Sequence, residues 1–269
     1  MYEAFFNLIR TPFARDIPCD QLYSTPAFDE LQARLVFSAR TRKFCVVTGD
    51  VGIGKTTAIR KFVKSLDQGL FYVVYISDSA LTPRVFYWEA LKELGNLDKP
   101  CFYRSEGKRK MMNEFSNMLE QGRRTPVVVI DEAHLLSHEM LEETRFLLNC
   151  KMDSQNPMSL IIVGQNDLRL KLSKEIYEPI CQRIDYRFKL SPFDRAQTQE
   201  YISKHLAFAG ENRQVFADSA INAIFEYSSG SARKINKLCS LALMTAAQQS
   251  TRIIEASLIN FVIDQELTW

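Results

Sequence analysis

The spacing of apolar positions changes character once along this chain. Up to about residue 190, short apolar runs alternate with stretches of helical spacing; beyond Pro192 only helical spacing is present. The runs at 44–47, 71–76, 127–130, 159–163 and 186–190 predict strands. Between them, 57–66, 82–94, 108–121 and 138–149 predict helices, with Met111, Met112, Phe115, Met118 and Leu119 forming one apolar face of the third. Gly95, Pro100 and Gly107 punctuate 95–107, which is expected to be a loop, and a short helical piece around 175–183 carries Arg183. The segments 194–209, 217–228, 231–249 and 255–266 all predict helices. Alternating strands and helices followed by helices alone predict a three-layer α/β domain with a C-terminal helical lid.

The expected division is 1–43, 44–191 and 192–269. The first segment carries Tyr2, Phe5, Phe6, Leu8, Ile9 and Phe13, too apolar for a disordered tail. Pro12, Pro18 and Pro26 break it up, and a helix over 26–40 presents Phe28, Leu31, Leu35 and Val36 on one face. It is read as a strap packed on the core.

Composition narrows the class. The 269 residues are 46% hydrophobic and 25% charged, as in ordinary globular proteins. No apolar run approaches the ~18 residues a membrane span needs, and the N-terminus lacks the basic start and cleavage site of a signal peptide. Six cysteines at 19, 45, 101, 150, 181 and 239 form no C-x-x-C pair. Free thiols in a reducing cytoplasm are the expectation. With a net charge of +2, any nucleic-acid surface has to be a local patch.

Chemistry concentrates after the first strand. Gly49-Asp50-Val51-Gly52-Ile53-Gly54-Lys55-Thr56-Thr57 fits the phosphate-loop pattern in full, with the strand before and helix after that the pattern requires. Its glycines let backbone N–H groups turn inward around a phosphate, and the helix start adds its positive end. Lys55 is expected on the β- and γ-phosphates of ATP and the Thr56 hydroxyl on Mg²⁺. The third strand ends in Asp131-Glu132. Asp131 can hold the Mg²⁺ shell beside Thr56, and Glu132 can polarise a water for in-line attack; such a pair alone could equally cap a helix. Gln165 and Asn166 end the next strand, and Gln165 is favoured as a residue that positions water. His134 receives no role. Arg183 and Arg233 are both candidates for stabilising the charge of phosphoryl transfer, which an arginine can also do across a subunit boundary.

The motifs at 49–56, 127–132, 164–165, 182–184 and 230–233 with Ile235-Asn236 resemble the AAA+ ATPases. Their order, with Met1-Tyr2-Glu3-Ala4-Phe5-Phe6, Pro12-Phe13, Leu22-Tyr23 and Leu190-Ser191-Pro192-Phe193, is most similar to the group holding the secretion ATPase ExeA and the transposition regulators TnsC, TniB and MuB. The resemblance implies that Lys55, Thr56, Asp131 and Glu132 are the Walker residues. It further implies Gln165 as sensor 1, Arg183 as arginine finger and Arg233 as sensor 2. Ala232 stands where the family often has proline, which leaves helix entry less constrained.

Three readings follow: a DNA-bound transposition regulator, a secretion-type ATPase, and a nucleotide switch on protein partners. The first is preferred. Arg104, Lys108, Arg109 and Lys110 cluster at an expected loop–helix junction beside Tyr103, where they could track a duplex phosphate backbone. The expected partners are therefore double-stranded DNA, a transposase and further copies of the chain in a ring or helical filament, with no membrane. The secretion reading ranks lower because that family continues into a membrane segment and a wall-binding portion, whereas this sequence stops at Trp269.

Overall fold

The computed structural model describes residues 2–77, 81–95, 103–122, 124–148 and 156–267. It divides into an α/β unit, Ala27–Asp50 with Lys55–Leu190, and a helical unit, Met1–Pro26 with Val51–Gly54 and Ser191–Trp269.

Five parallel strands form the sheet of the α/β unit: β1 Phe44–Thr48, β2 Phe71–Ile76, β3 Thr125–Ile130, β4 Ser159–Gly164 and β5 Tyr186–Lys189. Their order is β2-β3-β4-β1-β5. All of β1 and β4 is buried, as a parallel strand covered on both faces must be. Phe44 and Val46 share one core with Val74, Ile76, Val128, Ile130, Leu160 and Ile162. Cys45, Val47, Val127, Val129, Ile161 and Val163 alternate to the opposite face and are also buried.

The α-helices among the described residues of this unit are α2 Pro26–Thr41, α3 Lys55–Ser65, α4 Pro83–Glu93, α5 Arg104–Glu120, α6 His138–Leu147, α7 Asn166–Leu172 and α8 Glu178–Cys181. Local chemistry sets several starts. Thr82 accepts the Val85 N–H ahead of Pro83 at the first turn of α4, and Ser137 accepts the Met140 N–H at α6. Gln165-Asn166 opens α7. One expectation fails. The loop expected over 95–107 ends early, because α5 begins at Arg104 and buries Gly107 within it; residues 96–102 lie outside the described residues. The early start is anchored by Glu143 on α6, which holds Arg104 and Lys108.

In the helical unit α1 Tyr2–Phe5 precedes α9 Arg195–Phe208, α10 Asp218–Ser228, α11 Ala232–Gln248 and α12 Ala256–Val262, with a wider turn over Ile263–Leu267. A capping box opens α9: Asp194 accepts the Gln197 N–H at 2.8 Å, and the Gln197 side chain accepts the Asp194 N–H at 3.1 Å. The N-terminal segment divides at Pro26 rather than after residue 43. Tyr2, Phe6 and Phe13 enter the core of α9–α12, because their partners are there. The Phe13 N–H donates to His205 Nδ1 at 3.2 Å and its ring stacks on that imidazole. Tyr23 donates to Glu200 at 2.7 Å and meets Phe193 and Tyr201 edge-on. Only α2 of the expected strap belongs to the α/β unit.

Candidate nucleotide site

Parallel strands deliver their C-terminal ends to one edge of the sheet, where ligands of open α/β sheets bind. Thr48, which leads into Gly49, pairs with Gly164, which leads into Gln165. Ile130, which leads into Asp131, pairs with Ile162 two residues before Gly164. The sheet therefore gathers the phosphate loop, Asp131-Glu132 and Gln165 at one edge.

Gly52 and Gly54 take φ of +79° and +101°, which favours glycine there. Lys55 is 7% exposed, and its ammonium donates to the carbonyls of Gly49 at 3.0 Å and Asp50 at 2.8 Å. Those carbonyls offset the cost of burying the charge. The Thr56 hydroxyl donates to Asp131 Oδ2 at 2.9 Å. Asp131 is 2% exposed and also accepts from Tyr75 and from the Glu132 N–H. A hydroxyl oxygen beside a carboxylate is a hard oxygen donor set that fits Mg²⁺. No larger cluster of His, Cys, Asp or Glu suited to a metal occurs among the described residues.

Glu132 has φ +52°, a left-handed conformation that costs a non-glycine residue about 1 kcal/mol or more. Its side chain is 44% exposed, and Oε2 is 3.4 Å from His134 Nδ1. Lys171 donates to the carbonyls of His134 at 3.3 Å and Leu136 at 2.6 Å, tying down the turn after Glu132. Gln165 stands at the N-cap of α7 without a capping bond. Its neighbour Asn166, rather than Gln165, hydrogen-bonds Asp50 on the loop.

In the helical unit Arg233 is the second residue of α11, and its N–H donates to the Gly52 carbonyl at 2.9 Å. A first-turn N–H has no partner inside its helix, so this bond fixes the helix entry that Ala232 was expected to leave loose. Arg183 lies in the turn after α8, partly buried. Of the four basic candidates, Arg104 and Lys108 pair with the buried Glu143, which also accepts from Tyr87. Lys110 pairs with Glu106 at 2.6 Å, and Arg109 is exposed. They lie within the first two turns of a helix, not at a loop–helix junction.

Sequence reasoning missed Tyr75, Asn166, Lys171 and Glu143. Asn166 alone carried a signal, since it stands beside Gln165 at the expected strand end. The cysteines at 19, 45, 181 and 239 are free, and those at 101 and 150 lie outside the described residues. No helix among the described residues is long and apolar enough to cross a membrane.

Residues 39–172 match the sequence family described as AAA domain. The chain is 28% identical over 264 residues to General secretion pathway protein A of Aeromonas hydrophila, covering 96% of this chain and 47% of that protein. It thus spans about half the length of that relative, and where it stops does not separate the readings. Many solved structures share the fold, three of them as follows. Cdc6p of Pyrobaculum aerophilum has a TM-score of 0.66 at 17% identity, over 94% of this chain and 68% of that one. The Aeropyrum pernix ORC2 protein, in ADPNP–ADP complexes, has a TM-score of 0.63 at 14% identity, over 97% and 71%. The Thermotoga maritima RuvB Holliday junction branch migration motor has a TM-score of 0.57 at 14% identity, over 88% and 68%.

Proposed function

Because the chain belongs to the AAA+ ATPases of the ExeA-like group, we propose that it hydrolyses ATP with Mg²⁺ and uses the cycle to act on protein partners, as a secretion-type ATPase. The observation that carries hydrolysis is the convergence of Lys55, Thr56, Asp131 and Glu132 on one sheet edge. In this reading Lys55 exchanges its loop carbonyls for the β- and γ-phosphates, while loop N–H groups cradle them. Thr56 and Asp131 hold the magnesium ion, which when bound draws off negative charge from the phosphates. Glu132 accepts the proton of the attacking water, which Gln165 orients. Arg183 enters from a neighbouring copy.

Protein partners are favoured over DNA by the likeness to a secretion protein. The transposition reading, preferred from sequence, has no counterpart among the relatives named. Its basic cluster is also largely engaged, since Glu143 and Glu106 hold three of its four cations. The proposed setting is the cytoplasm, as a homo-oligomer formed in the ATP state.

The test is phosphate release from ATP with and without Mg²⁺, beside light scattering with a non-hydrolysable analogue. Mg-dependent release and assembly are expected, and neither should respond to duplex DNA. Strong stimulation by DNA would restore the DNA-directed reading. Mixing Arg183→Ala with Glu132→Gln subunits should recover activity at interfaces where an intact Glu132 meets an intact Arg183.

A further inference from the structure

Tyr75 occupies the edge strand β2, opposite Val129 in the parallel register. Side chains two apart share a face, so Tyr75 projects on the same side as Val129 and Asp131. The Asp131 N–H donates to the Ile76 carbonyl at 2.8 Å, which continues that register past the strand end. The phenol is long enough to cross the diagonal, and its hydroxyl donates to Asp131 Oδ2 at 2.9 Å.

Thr56 donates to the same oxygen at the same distance, and the Glu132 N–H donates to Oδ1 at 2.8 Å. An ionised carboxylate has about four acceptor positions, so these three donors leave little freedom to turn. Packing does not require the hydroxyl. Val74 and Ile76 fill the core, while Tyr75 is 38% exposed on the other face. Phenylalanine would satisfy the strand as well; among the described residues, the bond to Asp131 is what distinguishes tyrosine.

We propose that Tyr75 is a positioning residue for the magnesium shell, holding the Asp131 carboxylate beside Thr56 so that the cation of MgATP meets a fixed oxygen. This rests on the nucleotide-site reading above. Thr56 donates its proton to Asp131 while its oxygen keeps lone pairs for the cation. Tyr75 keeps Asp131 oriented without touching cation or nucleotide itself. Partners of this outer kind commonly change metal affinity tenfold or more.

The experiment compares the wild-type chain with Tyr75→Phe. A fluorescent ATP analogue is titrated in EDTA and again across Mg²⁺ concentrations, and Mn²⁺ binding to the nucleotide-loaded protein is followed by electron paramagnetic resonance. Expected are an unchanged affinity in EDTA, a Mg²⁺ midpoint raised by about tenfold with Mn²⁺ binding weakened alike, and no further effect of Tyr75→Phe on an Asp131→Asn background. An unchanged midpoint with wild-type binding intact overturns the role of Tyr75 and leaves the nucleotide site standing. Equal weakening in EDTA, or a large drop in the melting temperature of Tyr75→Phe, makes the hydroxyl structural and overturns it too. Failure of the wild type to bind nucleotide overturns both readings together.

Discussion

Gly230 and Phe193 meet backbone to backbone. A Cβ on Gly230 would stand 1.9 Å from the Phe193 carbonyl oxygen, while the Gly230 carbonyl accepts the Phe193 N–H at 3.1 Å. Gly230 also has φ +75°. This contact sets the entry to α11 and hence the position of Arg233. Gly230→Ala adds backbone strain to a clash that no rotamer relieves, so it should cost about 3 kcal/mol or more. Denaturant unfolding measures this; a loss below about 1 kcal/mol would mean the two segments separate easily.

Lys55→Ala should abolish binding of a fluorescent ATP analogue, since no other charge in the loop replaces the ammonium. Glu132→Gln should retain binding and lower phosphate release by about 10²- to 10⁴-fold, because the amide keeps the shape and loses the base. Wild-type turnover in Glu132→Gln would remove Glu132 from catalysis.

Glu143 is 1% exposed and accepts from Tyr87, Arg104 and Lys108. Glu143→Ala strands the buried Tyr87 hydroxyl and releases two cations, so a loss of about 3 kcal/mol is expected on thermal or chemical unfolding. If stability hardly changes, Arg104 and Lys108 are not tied to the fold, and duplex DNA binding by that face becomes worth measuring. Arg109, exposed on α5, would contribute at most ~0.9 per subunit to a salt slope.

Burial lowers the pKa of His205 from 6.5 to about 4, with Lys204 adding repulsion. The neutral ring accepts the Phe13 N–H through Nδ1, which a protonated ring cannot do. Between those two values the unfolded chain binds the extra proton, so stability rises with pH there. The contribution is complete above pH 6.5 and lost as pH falls towards 4, amounting to about 3 kcal/mol. Unfolding free energies of wild type and His205→Gln across pH 4 to 7 test this; parallel curves would exclude His205 as the source.

Local pattern determined the parts of this protein that a few consecutive residues encode. The apolar run, glycines and helix start around Lys55 are contiguous, although the space at Gly52 is set by Ser231 and Arg233, where a Cβ would stand 2.8 Å from each. Asp131-Glu132 was equally legible, because a parallel strand delivers whatever follows it to the C-terminal edge of the sheet. The helix expected from His138 begins there, and the one expected from residue 82 begins one residue later, after the Thr82 cap. The early start of α5 did not, because its anchor Glu143 is 39 residues from Arg104. Tyr75 and Asp131 are 56 residues apart, Asn166 and Asp50 116, Phe13 and His205 192. Periodicity and turn chemistry act over one or two turns of chain, so they fix which face a residue takes but not what meets it there. Strand order, register and the burial of single charges decided those meetings, and they exist only once the sheet and the helical core have closed.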